Sequence, residues 1–338
     1  MLRTPTTLVL GAGASAEVDL PVGRTLLETI AASLDIRYDF SNQISGDRLV
    51  FEALRRFLAS QGKEAEFNSY LHAAWQVRAS ANQGISIDNI VHALEDEKAT
   101  VVAKLGIVRA IQHAEKRSQY FSEEDSVPGN LDYRRFENTW YDRFTKLLCE
   151  DRTRSDIDAI FENLTIVSFN CDRCIERYLP GSVANYFGAP FHEVLSSFQN
   201  VPIHRPYGIA GSFTYSGDRP VGFGTGTANE LAESTVLIRT FTEGMEEPNE
   251  LRSALSQSQR VVFLGSSFHR QNLDILSTAL RSDVEVIGTI NGFSHHDEKV
   301  VIREISENFS TAQSQIHLDN VYCREFFDDN WRKLTSAN

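Results

Sequence analysis

The chain has 338 residues, 41% of them hydrophobic and 23% charged, which is enough for one large α/β domain or two ordinary ones and excludes a disordered polypeptide. With 46 acidic against 33 basic side chains the net charge is −13, and no run of Lys or Arg exceeds two residues, which argues against direct nucleic-acid binding. No signal peptide fits the N-terminus and no apolar run is long enough for a membrane span, so we expect a cytoplasmic protein without membrane contact.

Residues 7–11 (TLVLG) read as a buried strand, aliphatic and β-branched and closed by glycine. Small residues follow, then Pro21 and Gly23, a loop ahead of a helix at 24–34. Between about 46 and 120, Leu49, Leu54, Phe57 and Leu58, and later Ile90, Leu94 and Val101, recur at helical spacing and predict several helices, one capped by Ser86 or Asp88. The polar stretch 122–130 (SEEDSVPGN) is the best loop or hinge candidate, and a helix is expected at 132–150. Residues 164–169 (LTIVSF) form a second strand ending at Asn170, followed by a helix from Asp172 to Tyr178.

Short strands are expected at 183–186 and 201–204, a glycine-rich loop over 205–228 and a helix at 246–258. Buried strands at 260–264 (RVVFL) and 284–290 (VEVIGTI), a helix at 296–309 and an edge segment at 314–323 complete the chain. Apolar strands alternating with helices predict a mostly parallel sheet covered on both faces. The helical stretch reads as an insertion between the first and second strands of that sheet.

Cys171 and Cys174 form a lone CxxC among four cysteines. A structural zinc needs four ligands, usually from two such pairs, and no thioredoxin-like context surrounds this one. The two read as thiols at a helix start, one or both packed inward, and no metal is expected.

Five strand ends carry the candidate chemistry. Gly11-Ala12-Gly13-Ala14-Ser15-Ala16 fits a glycine turn able to approach a pyrophosphate at a helix start. A dehydrogenase also wants an acidic residue about 20 positions on, at the end of a second strand; Asp35 and Asp39 lie there, but behind a helical stretch. Ser168-Phe169-Asn170-Cys171-Asp172 ends a buried strand, where ligands of open parallel sheets bind; equally, Asn170 ends the strand and caps the next helix. His204, before Pro206 and Gly208, is a candidate base near neutral pH, or an ordinary satisfied histidine. Gly265-Ser266-Ser267 and Ile290-Asn291 end the two later strands in residues that allow close approach or hydrogen bonding.

Taken in order, these segments resemble the sirtuin superfamily, and more closely the bacterial sirtuin-like NAD-hydrolase domains of antiphage defence systems. The resemblance runs from about residue 7 to 292, strongest at LVLGAGAS, TIVSFNCDRCIERYL and VVFLGSSF and weak through the helical insertion. It implies a Rossmann-like α/β core of residues 1–35 and 156–338, interrupted by a helical subdomain at 36–155. Gly11, Ala12, Gly13 and Ser15 match the family's phosphate-binding turn, Asn170 its catalytic Asn, and Asp172 the acidic residue two positions on. His204 matches the catalytic His, Gly265 and Ser266 a turn near the adenosine half, and Asn291 an adenine-ribose contact. Asp88, in Ser-Ile-Asp, resembles a recurring element of the defence subgroup and is given no chemistry. Two departures stand out: Arg205, Pro206 and Tyr207 separate His204 from Gly208, and the paired zinc ribbon of deacetylating sirtuins is missing, which disfavours deacetylation.

The resemblance implies an NAD+ hydrolase that releases nicotinamide and ADP-ribose without a metal. Asn170 would hold the ribose and a water, and His204 would take a proton. It further implies an antiphage or abortive-infection effector controlled by homo-oligomerisation or by a separate partner such as a HerA-type hexameric ATPase. The alternatives are an NAD- or ADP-ribose-binding sensor without turnover, a protein ADP-ribosyltransferase and, last, a dehydrogenase.

Overall fold

The computed structural model describes every residue except 40–41, 122–130, 214–219, 244–247, 278–279, 281–282 and 337–338. The hinge candidate at 122–130 therefore lies outside the described residues. The chain opens with β1 (Thr6–Leu10), α1 (Ala12–Ala16) and α2 (Gly23–Leu34). A small hairpin, β2 (Arg37–Asp39) and β3 (Asn42–Ser45), leads into α3 (Arg48–Ser60), α4 (Phe67–Ser80), α5 (Ile87–Leu94), α6 (Glu97–Arg117) and α7 (Trp140–Cys149). Then come β4 (Leu164–Ser168), α8 (Cys174–Phe187), α9 (Phe191–Phe198), β5 (Ile203–His204), α10 (Ala228–Thr235) and α11 (Pro248–Ser256). The chain closes with β6 (Arg260–Leu264), α12 (Arg270–Ser277), β7 (Glu285–Thr289), α13 (His295–Phe309), β8 (Ile316–Asp319) and α14 (Cys323–Thr335).

Six strands form one all-parallel sheet in the order β5-β4-β1-β6-β7-β8. This is the expected Rossmann-like α/β fold. From β1 the chain steps outward through β4 to β5, then returns to β6 on the other side of β1. The carboxyl ends of β1 and β6 are thus the topological switch point, where open α/β sheets bind ligands.

Strand residues alternate between two cores, because successive side chains leave opposite faces. Leu8, Leu10, Ile166, Val262 and Leu264 pack with α7, α8 and α14. Val9, Val167, Val261, Phe263 and Val286 pack with α11, α12 and α13. The helical region has a third core of its own, built from α2 to α6 and α10. Its membership departs from the expected boundaries. Leu27, Ile30 and Leu34 of α2 belong to it, as do Ala228, Leu231 and Ala232 of α10, whereas α7 packs on the sheet through Trp140, Tyr141 and Phe144.

One expected strand is helical. The strand at 183–186 is the last turn of α8, since Ile175, Leu179 and Val183 keep a four-residue stripe inside the sheet core. Pro180 and Gly181 hide that stripe from a propensity reading, but burial overrides them. Beyond the edge segment, α14 adds Phe326, Phe327 and Leu334 to the sheet core.

The insertion is locked to the sheet by one buried ion pair. Arg173, just before α8, donates from Nε to Glu115 Oε1 of α6 at 2.9 Å and from Nη2 to Glu115 Oε2, and both side chains are wholly buried. Arg173 also donates to the Val221 carbonyl at 2.6 Å and lies over the rings of Phe213 and Phe223. Removing one partner leaves the other charge buried without compensation, so Glu115→Ala should lower the unfolding free energy by about 3–5 kcal/mol, read from urea denaturation. A change under about 1 kcal/mol would show that this pair does not join the two parts.

Candidate functional site

The turns after β1 and β6 meet backbone to backbone at the switch point. The Gly11 N–H donates to the Leu264 carbonyl and the Gly13 N–H to the Gly265 carbonyl, both at 2.9 Å. A Cβ on Gly11 would fall 2.5 Å from the Gly265 carbonyl oxygen, and one on Gly265, at φ +59°, would fall 2.0 Å from the Ala14 nitrogen. Only glycine permits this approach.

A cleft of about 1020 Å³ opens above that crossing. The loops after β1, β4, β6 and β7 form its floor, and the start of α5 in the helical insertion forms the facing wall. Of the sequence-predicted residues, Gly11, Ala12, Gly13, Asn170, Gly265, Ser266 and Asn291 line it. Ser15, Asp172 and His204 do not.

Asn170 is held at the lip by its own amide. Nδ2 donates to the Gly11 carbonyl at 2.9 Å and to Ser15 Oγ at 3.3 Å. Both amide hydrogens are thereby committed, so the group that Asn170 offers a ligand is the Oδ1 acceptor. Ser15 Oγ in turn donates to Asp172 Oδ2 at 2.7 Å, and Asp172 Oδ1 accepts from the Cys174 N–H at 3.1 Å, in the turn that enters α8. Ser15 and Asp172 are buried and brace Asn170 from beneath rather than facing the cleft.

Arg205 completes the brace. Its Nη1 donates to the carbonyls of Asn170 and Asp172, both at 2.9 Å, and its Nη2 reaches Glu176 at 2.6 and 2.8 Å. The bidentate carboxylate fixes the guanidinium, which fixes the turn. The CxxC lies in the same turn, Cys174 buried and Cys171 half-buried, with both thiols free. Burial pushes the Cys171 thiol up to about 12 and the Cys174 thiol well above its ordinary value, so neither supplies a thiolate.

His204 stands elsewhere. It pairs in register with Val167, one rung inside the last β1–β4 rung of Leu10 and Ser168, on the outer strand β5. Asn170 engages Gly11, beyond that last rung. Of the segment from His204 to Gly208, Tyr207 lines the cleft and the imidazole does not. Tyr207 Oη donates to Asn272 Oδ1 at 2.7 Å, and burial raises the phenol well above its usual value, so it stays protonated at neutral pH.

The cleft-lining side chains that the sequence left unassigned come from two places. Asp88 projects from the first turn of α5, half-buried, where its Oδ1 accepts weakly from the Phe241 N–H at 3.4 Å. Burial raises its carboxyl above the ordinary range; hydrogen bonding from Phe241 and the nearby His269 imidazole pull it back, and Glu243 adds to the rise. His269 and Arg270 are exposed at the cleft mouth, at the start of α12. The Ser86 cap at α5 was the sequence signal closest to this wall: Ser86 Oγ accepts from the Asn89 N–H at 3.2 Å. No family model, curated protein or solved structure matched the chain.

The Asp88 environment sets a pH dependence. A carboxyl whose folded pKa is raised holds its proton more tightly in the folded state than in the unfolded chain, so ionising it costs stability at higher pH. Asp88→Asn removes that cost. The variant should be more stable than the parent at about pH 7 and lose the advantage as pH falls to about 3, below the ordinary Asp value, as read from urea midpoints across that range. A constant offset at every pH would mean that Asp88 titrates as it does in the unfolded chain.

Proposed function

We propose that the cleft binds NAD+ and cleaves its nicotinamide–ribose bond, giving nicotinamide and ADP-ribose. The observation that carries this reading is the Asn170 side chain, pinned by the Gly11 carbonyl at the switch point and facing Asp88 across one cleft of dinucleotide size. The glycine turn and Arg270 take the pyrophosphate. Because the Gly13 N–H is spent on Gly265, the phosphate contacts come from Ala12, at the start of α1, and from Arg270. Asn291 lies toward the adenosine end.

The chemistry needs no acid, since nicotinamide leaves as a neutral base. Departure builds oxocarbenium character at C1′ of the ribose, as in glycoside cleavage. Asn170 Oδ1 accepts from a ribose hydroxyl and so fixes the sugar. The Asp88 carboxylate faces the developing positive charge and takes the proton from the attacking water as the new C1′–O bond forms. Its raised pKa makes it a better base than an ordinary aspartate. Control of such an activity by self-assembly or a partner ATPase belongs to the same reading. Nicotinamide release measured against protein concentration, then with added ATPase, tests each arm.

One observation favours a second reading. The histidine that the resemblance marks as catalytic is outside the cleft, which suits a module that holds NAD or ADP-ribose without turning it over. Chromatographic measurement of nicotinamide released from NAD+ separates the two. Asn170→Ala should abolish release, and Asp88→Asn should lower the rate by about 10² to 10⁴, the usual span for general acid–base catalysis. His204→Ala should change it by less than about threefold, a factor below 1 kcal/mol. Binding of NAD+ with no nicotinamide released by the parent protein would establish the sensor reading instead.

A further inference from the structure

A cavity on α6 lies outside the cleft that the NAD reading uses. On α6, Arg109, Gln112, His113, Lys116 and Arg117 share one helical face. They line a cavity of about 580 Å³ whose roof is the glycine loop at 224–226, with Phe121 as an apolar wall. Gly224 has φ +65°, and a Cβ there would meet the Lys116 backbone at 2.7 Å. At Gly226 a Cβ would fall 2.3 Å from Gln112 Oε1. Glycine therefore lets the loop backbone lie directly on the helix, beside its cations.

The polar groups of this cavity are incompletely matched. Arg109 donates to Asp47 at 2.7 Å, but among the described residues neither Lys116 nor Arg117 makes an ion pair. Gln112 is 2% exposed and its Nε2 has no hydrogen-bond partner, an arrangement native interiors rarely tolerate. The His113 imidazole is held below its usual value by burial and then by Arg109 and Arg117, which marks a locally positive potential. In a chain of net charge −13, such a concentration of cations over a glycine loop has the chemistry of an anion site.

We infer that this cavity binds a phosphate monoester of mononucleotide size, at a site separate from the NAD cleft. Lys116 and Arg117 supply charge-assisted donors to the phosphate, and the cavity volume falls within the range of small-ligand pockets.

Calorimetric titration of the full chain with AMP, and separately with inorganic phosphate, tests it. AMP should bind the parent and the Asn170→Ala variant with equal affinity. The exposed double substitution Lys116→Glu with Arg117→Glu should weaken it by at least about tenfold, and added salt should weaken binding to the parent. Circular dichroism checks that each variant is folded. Unchanged affinity in the double variant, loss of AMP binding with Asn170→Ala, or no heat from either probe at millimolar concentration would each overturn the inference. Nicotinamide release is not the readout, so the NAD reading and this one fail separately.

Discussion

The whole site depends on two peptide turns that touch without side chains between them. The turn after β1 and the turn after β6 are joined by paired N–H to carbonyl bonds, with Gly265 in the left-handed region and Gly11 and Gly13 pressed against it. A methyl group at any of the three would push the strands' carboxyl ends apart. Glycine here is first a packing device and only then a means of approaching a ligand. The same contact turns the Gly11 carbonyl toward Asn170, which is how the functional amide acquires one orientation. Strand pairing, glycine content and side-chain geometry are thus one constraint.

A second layer of charge holds that geometry. Arg205 grips the carbonyls of Asn170 and Asp172 while Glu176 grips Arg205, and one residue along the chain Arg173 ties Glu115 of the insertion to the loop at 221–222. Burying these ions costs solvation that attraction alone rarely repays. What offsets it is the number of carbonyls satisfied by each guanidinium. The consequence is positional: the Arg173–Glu115 pair ties α6 of the insertion to the turn that follows Asn170.

Much of this was legible in the sequence because the strands are short, apolar and closed by Gly or Asn. The four longest buried sheet strands, their parallel arrangement and the turns at 11–13, 170 and 265–266 follow from period and punctuation alone. What escaped did so for identifiable reasons. Val183 reads as strand until Ile175 and Leu179 are seen on the same helical stripe. The short strands β2 and β3 are mostly polar and exposed or half-buried, with no apolar alternation to announce them. His204 carries the residue type expected of a base, but residue type cannot say which rung of an outer strand it occupies. Asp88 is remote in sequence and comes to the cleft only because α5 folds back over the sheet edge.

That last placement is what the proposed chemistry rests on. A site that must protonate a leaving group needs an acid beside it, and a site that only expels a neutral base from a cation does not. Tyr207 keeps its proton and is engaged with Asn272, so it orients rather than transfers. Asn170 has spent its donors and presents an acceptor. Asp88 supplies negative charge from the opposite wall. On the proposed NAD+ reading, an acceptor for a sugar hydroxyl and a carboxylate would frame a centre that becomes positive as it reacts, with Arg270 and the glycine turn left for the anionic end of the ligand. The proposed reading therefore gives the cleft a direction, with the sugar between Asn170 and Asp88 and the phosphates toward Ala12 and Arg270. A dinucleotide bound the other way round would set its phosphates against Asp88.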